Sequence, residues 1–195
     1  MTTRTSTSST PEFADLVSRV REVVHSTEST DGDTTAEGVS DVATRVGSVL
    51  SDRLADGLPL PEHLRRHDPD HYTQHIVHVE PSGTFSIVAL VWLPGQATPV
   101  HDHVSWCVTG VVEGQETEEV FEVREVGGRS HLVRVGETVN VVGDVSALDP
   151  PGDIHRVRNS CQELAVSLHI YGADIHRLGS SIRRAYDLPT LDRAE

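Results

Sequence analysis

From Tyr72 onward the sequence is made of short β-branched runs, and this pattern restricts the fold more than any other feature. The runs read HIVHVE, TFSIVALVWLP, VFEVREV, HLVRVGE, TVNVVG, HRVRNS and LAVSLHIY. Turn-forming residues separate them at PSG, GQ, EVGG, GD and PPGD. Many short strands with close turn signals predict an all-β sandwich or barrel rather than alternating βαβ units.

Two amphipathic helices are predicted before these runs. The first begins near Pro11, and the second spans about 36–55 and ends close to Gly57. In both, apolar residues recur at the spacing of one helix face. They are Phe13, Leu16, Val17, Val20 and Val24 in the first helix and Val39, Val42, Val46, Val49 and Leu50 in the second.

We therefore expect one domain with a helical extension. Residues 1–10 are rich in Ser and Thr and are predicted to form a disordered tail. A helical segment packed on the barrel is expected over 11–67, and the barrel itself over 68–187. The polar end of the chain, SSIRRAYDLPTLDRAE, predicts a short helix and a C-terminal tail at 188–195.

Charge and composition restrict the partners. The chain has 16 Lys and Arg against 30 Asp and Glu, a formal charge of −14, so nucleic acid and anionic membranes are not expected to bind. No apolar run has the roughly 20 residues that a membrane span needs. The N-terminal MTTRTSTSSTPEF lacks the apolar core of a signal peptide, and two cysteines provide no disulfide framework. We expect a soluble cytoplasmic protein; its oligomeric state stays open.

Two segments carry a candidate metal site. In the first, His101 and His103 flank Asp102, and residues two apart on a strand point to the same side. In the second, a Pro-Pro-Gly turn leads into His155. Imidazoles that converge inside a barrel can chelate a first-row metal, so we predict one metal ion on these three histidines. Spacing alone does not choose iron over zinc, nickel or copper.

Five further histidines recur at intervals of four, four, four and three residues. Pro69 and the β-rich run after it argue against a continuous helix there. We interpret these residues as a polar set at the surface or at the rim of a pocket rather than as metal ligands. They are His63, His67, His71, His75 and His78.

The two segments of the candidate metal site resemble the paired motifs of the cupin superfamily, whose fold is a small double-sheet β-barrel (jelly roll). The first motif of that superfamily usually has a Glu a few residues after the HxH pair. Here the sequence continues His103-Val-Ser-Trp-Cys107-Val-Thr, without a carboxylate. The resemblance therefore implies a metal held by three neutral ligands, with positions left open for other molecules.

The strand LAVSLHIY narrows the resemblance to the thiol dioxygenases of the cysteine dioxygenase family, over about Leu58–Tyr186. That family combines a three-histidine iron site with a Ser-x-His-x-Tyr relay, which Ser167, His169 and Tyr171 match on one face of the strand. The resemblance implies one Fe(II) per chain and oxidation of a small thiol by O₂ to its sulfinic acid. Tyr171, oriented by the other two, would be the catalytic group. The alternative, a barrel strand that merely carries polar residues inward, stays open.

One difference from the family bears on the substrate. Cysteine dioxygenases proper have Tyr-x-Arg before the barrel motifs, whereas this chain has Tyr72-Thr-Gln74, and glutamine supplies no charge. Such sequences resemble the 3-mercaptopropionate dioxygenases, so we favour 3-mercaptopropionate over L-cysteine, which would give cysteine sulfinate. Arg177 is the candidate cation for a substrate carboxylate, with Arg183 or Arg184 behind it. Each of these three could equally be an ordinary solvated arginine.

Cys107 matches, counting back from Gly114, a cysteine that crosslinks to the relay tyrosine in animal members of the family. Bacterial members commonly have glycine there. Two interpretations stay open: a Cys107–Tyr171 thioether, or a small buried thiol that fills the place of the glycine.

Two other classes of function also stay open. Another cupin metalloenzyme, such as a sugar isomerase or a lyase, could use three histidines to bind Zn(II), but it would not explain the Ser-x-His-x-Tyr strand. A non-catalytic cupin that binds a small ligand would not need metal ligands and a relay together.

Overall fold

The computed structural model describes residues 10–28 and 36–191, without the side chains at 27, 28 and 36–40. The predicted disordered tail, apart from Thr10, lies outside the described residues, as do residues 192–195 and the Val39 side chain. Within the described ranges, no helix is both long and apolar enough to span a bilayer.

In the described part of the chain, two long helices precede eleven strands. The helices are α1 (Pro11–Glu28), α2 (Ala36–Ala55) and α3 (Ile175–Leu178), with a 3₁₀ turn at Glu62–Arg65. The strands are β1 (Thr73–Val79), β2 (Ser86–Trp92), β3 (His101–His103), β4 (Cys107–Glu113), β5 (Gln115–Val126), β6 (Arg129–Val141), β7 (Val145–Leu148), β8 (His155–Arg158), β9 (Ala165–Tyr171), β10 (Ile182–Ala185) and β11 (Thr190–Leu191).

The strands form two sheets. One has five strands in the order β1-β2-β9-β4-β7, and the other has six in the order β10-β3-β8-β5-β6-β11. Apart from the parallel pair β11–β6, the pairs of named strands are antiparallel. The order brings strands from distant parts of the chain together, as in a jelly roll. The prediction of a mainly β cupin barrel preceded by helices is confirmed.

Strands β2 and β9 are buried on both faces, which explains their nearly continuous apolar sequence. Alternate residues of β9, such as Leu168 and Ile170, pack in the same hydrophobic cluster as the two long helices. The residues between them belong to the other face, where Tyr171 packs with Trp92 of β2. Alternation along β9 therefore delivers its polar side chains to the barrel interior.

The two long helices cover the outer face of the five-stranded sheet. α1 packs on α2, and α2 packs on β4 and β7. Gly110 of β4 permits this approach, because a side chain there would come within 2.7 Å of Leu50. The predicted apolar faces are the buried ones: Phe13, Leu16, Val20, Val24, Val42, Val46, Val49 and Leu50 are buried, and Val17 is partly buried.

One detail of the strand prediction was wrong. The runs HLVRVGE and TVNVVG form a single strand, β6, rather than two. Strand β5 pairs with β6 along almost its whole length, and a bulge opposite Val120 and Phe121 absorbs the irregularity near Gly136. A glycine inside a strand here marks the bulge rather than a turn.

The predicted C-terminal helix was also wrong. Ile182–Ala185 forms β10 beside β3, and Thr190–Leu191 forms β11 beside β6. The short helix α3 comes earlier and is closed by Gly179 in a left-handed conformation. A polar segment this short has no periodic signal of its own, so distant strands decide its structure.

Candidate metal centre

Three histidines from two paired strands converge in the barrel interior. His101 lies directly opposite His155, and His103 follows on the same strand as His101. The ring centroids are 4.7 to 5.0 Å apart, and no ring is more than 4% exposed. One ring nitrogen from each residue lies within 4.8 Å of the other two. Among the described residues, this is the one cluster of His, Cys, Asp and Glu that could hold a metal ion.

Each ring is fixed by an acceptor on its Nδ1 side. The pairs are His101 with the Pro99 carbonyl at 3.0 Å, His103 with Asp153 Oδ2 at 2.9 Å, and His155 with Glu118 Oε1 at 2.7 Å. A neutral imidazole whose Nδ1–H donates presents its bare Nε2 lone pair on the other side. His155 Nε2 is buried without a hydrogen-bond partner, as a metal-ligating nitrogen would be before it binds. The residues present therefore fit a metal ion.

The charges around the site also suit a metal. Burial lowers the pKa of His101 to about 3, and the nearby His155 and His103 add to this effect. Burial likewise lowers the pKa of His103, although the hydrogen bond to Asp153 acts in the opposite direction and raises it. Both rings are thus neutral near pH 7, the state in which imidazole binds a metal.

Two residues of the site were missed by sequence reasoning. Burial raises the pKa of Asp153, but the hydrogen bonds from His103 outweigh it, and the net pKa is lowered. Burial also raises the pKa of Glu118, but the hydrogen bond from His155 outweighs it, and the net pKa is lowered. Both acids are therefore charged beside the rings that they orient. For Glu118 the available signal was the alternation of acids in QETEEV, just before a predicted strand. The sequence around Asp153 contains no comparable signal.

Asp102 points away from the cluster, as alternation along β3 predicts. Its carboxylate accepts hydrogen bonds from Arg183 Nη2 at 2.6 Å and from Tyr186 Oη at 2.8 Å. These contacts tie β3 to β10 and to the residue that follows it, and so help to fix the backbone on which two candidate ligands stand.

The predicted relay residues form a continuous hydrogen-bonded chain. Ser167 Oγ lies 3.0 Å from His169 Nε2, and His169 Nδ1 lies 3.2 Å from the Tyr171 hydroxyl. The indole N–H of Trp92 donates to Ser167 Oγ at 3.3 Å. The chain ends beside the histidine cluster, where the Tyr171 ring centroid is 5.9 Å from that of His103.

Burial keeps both titratable members of this chain uncharged. It lowers the pKa of His169 well below its ordinary value and raises that of Tyr171 well above its ordinary value. Near pH 7 the chain therefore consists of a neutral imidazole and an intact phenol. Both can donate or accept a hydrogen bond.

Cys107 lies directly opposite Tyr171 in the pairing of β4 with β9. The thiol is fully buried in the same hydrophobic cluster as the phenol ring. Burial raises the pKa of Cys107 well above its ordinary value. The two side chains predicted as a possible crosslink are thus adjacent.

A cavity of about 100 Å³ joins the histidine cluster to the end of the relay. It is lined by Tyr72, Gln74, Leu90, Thr98, His101, His103, His155, Val157, His169, Tyr171, Gly179, Ser180, Ser181 and Ile182. No Lys, Arg, Asp or Glu stands among these described lining residues. Tyr72 and Gln74 also form a wall of an open neighbouring cleft that includes Arg66.

The structure does not bring the predicted arginines to this cavity. Arg177 lies on α3 with an exposed side chain. Arg183 forms a salt bridge with Asp102. The Arg184 guanidinium stacks on the Tyr186 ring, with its Cζ 4.6 Å from the ring centroid. Arg177 follows the relay strand closely in sequence, but the short helix turns it to solvent. It gains no support as a carboxylate ligand.

The five histidines before the barrel stand apart from the metal cluster. His75 Nε2 contacts the Arg66 carbonyl at 2.7 Å, and His78 Nε2 contacts Glu80 at 3.0 Å. His67 and His71 line the open cleft beside the cavity. The positions of these four agree with the interpretation of a polar set at the surface and at a pocket rim, whereas His63 Nε2 is buried without a hydrogen-bond partner.

A double-sheet barrel that presents three buried imidazoles to a small cavity defines a cupin-type metal-binding protein. The model of the cysteine dioxygenase type I family matches residues 60–180 of this chain. The chain belongs to the cysteine dioxygenase type I family.

Individual relatives agree with this assignment. Cysteine dioxygenase type 1 of Danio rerio is 32% identical over 106 residues, which are 53% of this chain and 52% of the relative. The Homo sapiens protein of the same name is 30% identical over 106 residues, which again are 53% of this chain and 52% of the relative. The chain thus spans about half the length of the curated relatives it matches.

Solved structures with some likeness include a Thermus thermophilus protein, with 26% identity and a TM-score of 0.44. That match covers 60% of this chain and 96% of the other. A Cupin 2 conserved barrel domain protein from Salinispora arenicola has 21% identity and a TM-score of 0.42, covering 63% of this chain and 93% of the other.

Proposed function

We propose that this protein is an iron-dependent thiol dioxygenase that oxidises a small thiol carboxylic acid to its sulfinic acid. The observation that carries the proposal is one cavity walled by the three-histidine cluster on one side and by Tyr171 on the other. Membership of the cysteine dioxygenase type I family supports it. In the reaction R–SH + O₂ → R–SO₂H, both oxygen atoms pass to sulfur and no further reductant is consumed.

In this proposal Fe(II) is held by His101, His103 and His155 through their inward-facing nitrogens. When bound, the ion supplies the redox chemistry that lets dioxygen react with a thiolate. The protein orients the three rings through Pro99, Asp153 and Glu118. This leaves the remaining positions around the ion to the small cavity.

Tyr171 is the proposed catalytic group of the chain. Its phenol borders the cavity and is held from behind by His169, which Ser167 holds in turn. Burial raises the pKa of Tyr171, so the phenol keeps its proton near pH 7. It can therefore donate a hydrogen bond to the reacting molecules.

The substitution Tyr171→Phe tests this role. We expect a fall in kcat of about 10²-fold or more, the usual contribution of a positioned proton donor, with iron content unchanged. Oxygen uptake and metal analysis on the same samples measure both quantities. Unchanged turnover in the variant would remove Tyr171 from the mechanism.

Among thiol acids we propose 3-mercaptopropionate rather than cysteine. The described lining of the cavity contains no carboxylate that could accept a hydrogen bond from a substrate ammonium group. A buried ammonium without a charged partner is costly, so a thiol acid without an amino group fits better. Gln74, Tyr72 and the serines of the segment 179–182 offer uncharged donors for the carboxylate.

Comparison of kcat/KM for the two thiols tests this preference. We expect a higher value for 3-mercaptopropionate, and we expect Arg177→Ala to leave KM unchanged because that side chain lies outside the cavity. Arg66 lines the neighbouring cleft together with Tyr72 and Gln74. Arg66→Ala is therefore the comparison variant, and we expect it to raise KM. A strong preference for cysteine would contradict the argument from Gln74 and the uncharged cavity.

For the pair Cys107 and Tyr171 we propose that a thioether forms during turnover. Their opposition across β4 and β9 supports it. Bond formation between sulfur and the phenol ring breaks one S–H and one ring C–H bond, and O₂ takes up the two hydrogen atoms as hydrogen peroxide. Intact mass before and after turnover measures this loss, and Cys107→Ala is the control. Full hydrogen content after many turnovers would leave Cys107 as a buried thiol only.

A further inference from the structure

Strand β5 carries a second buried acid whose role the metal centre does not explain. Glu116 and Glu118 are two residues apart and share the inner face of the barrel. Glu119, on the other face, pairs with Arg156 at 2.8 Å. Glu118 orients His155, whereas Glu116 is only 3% exposed and has an Oε1 atom buried without a hydrogen-bond partner.

The groups beside Glu116 belong to the relay. The Ser167 hydroxyl and the Trp92 indole N–H, which are hydrogen-bonded to each other, are the uncharged groups that lower the pKa of its carboxyl. Ser167 in turn contacts His169, and His169 contacts Tyr171. Glu116 therefore stands at the inner end of the chain that begins with the catalytic phenol.

Burial raises the pKa of Glu116 to about 7, although the hydrogen bonds with Ser167 and Trp92 oppose this effect. The charged group that acts on it is Glu118, which raises the pKa further. Across the interior, β9 brings the neutral His169 behind Ser167, and β2 brings the uncharged Trp92. On β6, the residue paired with Glu116 is the uncharged Asn140.

We propose that Glu116 is a positioning residue that sets the direction of the hydrogen bonds through Ser167, His169 and Tyr171. Through this chain it decides whether the Tyr171 phenol donates into the cavity or away from it. The catalytic consequence rests on the proposed function, but the direction of the chain does not.

The two directions follow from the donors and acceptors present. With Glu116 ionised, Ser167 donates to it, His169 donates from Nε2 to Ser167, and Tyr171 donates to His169 Nδ1. With Glu116 protonated, its O–H donates to Ser167 and Ser167 donates to His169 Nε2. His169 then donates from Nδ1 to Tyr171, whose own proton is free to point into the cavity.

Both arrangements satisfy every member of the chain, and they differ by one proton at Glu116. The Trp92 N–H can donate to Ser167 Oγ in either, since a hydroxyl oxygen accepts two hydrogen bonds. The difference between them is readable as the tautomer of a neutral His169: protonated on Nδ1 in one arrangement and on Nε2 in the other.

The variant Glu116→Leu tests this inference, since it removes the acceptor and leaves His169 as the partner for the Ser167 proton. Glu122→Gln, an exposed acid on the same strand, is the matched control. In the Zn(II)-loaded full chain, ¹⁵N spectra of the histidine rings identify the His169 tautomer, assigned by loss of its signal in His169→Gln.

We expect the parent and the control to shift from Nδ1–H to Nε2–H as the pH rises through about 7. Glu116→Leu should keep Nδ1–H throughout, and Glu116→Gln should lose the pH dependence. A parent tautomer that does not change with pH would overturn the proposal, as would a change that persists in Glu116→Leu.

Turnover of the Fe(II)-loaded enzyme gives an independent readout. We expect kcat of the parent to fall relative to Glu116→Leu by about tenfold above this pH, the factor that one hydrogen bond is worth. Equal pH profiles would contradict control by Glu116. If the parent oxidises no thiol at all, the proposed function fails, and the tautomer measurement still decides the inference.

Discussion

Two of the three candidate ligands are oriented by charged acids and the third by a neutral carbonyl. His103 and His155 donate to Asp153 and Glu118, whereas His101 donates to a backbone oxygen. A negative partner on the far side of an imidazole fixes its tautomer and makes the ring a stronger ligand. The acids therefore belong to the metal site although they do not face the metal.

Loss of one acid should weaken metal binding. We expect Asp153→Asn to lower Fe(II) affinity by about 10- to 100-fold, the usual effect of removing such a partner. Asp149→Asn is the matched control, since this acid precedes the same turn and its Oδ1 has no hydrogen-bond partner. Competition with a chelator measures the affinity; equal affinities in both variants would show that Asp153 only stabilises the turn.

The buried rings also make stability of the metal-free protein depend on pH. The pKa of His101 is about 3 in the folded protein, against an ordinary value of 6.5. Between these values the unfolded chain binds the proton and the folded chain does not, so the free energy of unfolding falls as the pH falls below about 6.5. Above that pH this contribution does not change.

Urea unfolding of metal-free protein across this range measures the effect. We expect the midpoint to fall with decreasing pH, with a smaller slope in His101→Gln than in the control His131→Gln, a half-buried residue outside the cluster. Identical slopes in the two variants would mean that His101 takes up its proton in the fold as easily as in the unfolded chain.

At the scale of elements, the end of β9 is fixed by a close contact between Gly172 and Trp106. The Gly172 N–H donates to the Trp106 carbonyl at 3.0 Å, and the indole ring lies over the glycine. A Cβ at this position would overlap the indole ring. The contact follows directly after Tyr171 and so helps to place the phenol.

Gly172→Ala should therefore disturb both stability and activity. We expect a loss of about 1–3 kcal/mol in the free energy of unfolding, as for other overpacked sites, together with a lower kcat. Gly95→Ala is not a suitable control because its φ is positive, whereas a Cβ at Gly136 would make only ordinary van der Waals contacts with Val120, at 3.7 Å and beyond. A Gly172→Ala variant as stable and active as Gly136→Ala would contradict this account.

At the scale of the whole molecule, the sequence predicted what depends on local periodicity. The helix faces, the strand-rich barrel and the alternation of Ser167, His169 and Tyr171 are all readable from neighbouring residues. The predicted limits of the helical segment and the barrel, 11–67 and 68–187, remain predictions.

What the sequence could not predict depends on contacts between distant strands. Glu118 reaches His155 from β5, and β10 forms only because β3 lies beside it. Arg177 follows the relay strand closely in the sequence, but α3 turns its side chain to solvent. Proximity in the chain was a poor guide wherever the jelly-roll order joins remote strands.

Oxidation of 3-mercaptopropionate under ¹⁸O₂ is the decisive test of whether this protein is a thiol dioxygenase. With Fe(II)-loaded protein, we predict uptake of one O₂ per thiol and a sulfinate in which both oxygen atoms carry the label. Zn(II)-loaded protein, the matched sample, should take up none. A thiol panel that yields no oxygen uptake from iron-loaded protein, or a product whose oxygen comes from water, would contradict the account and favour another kind of cupin.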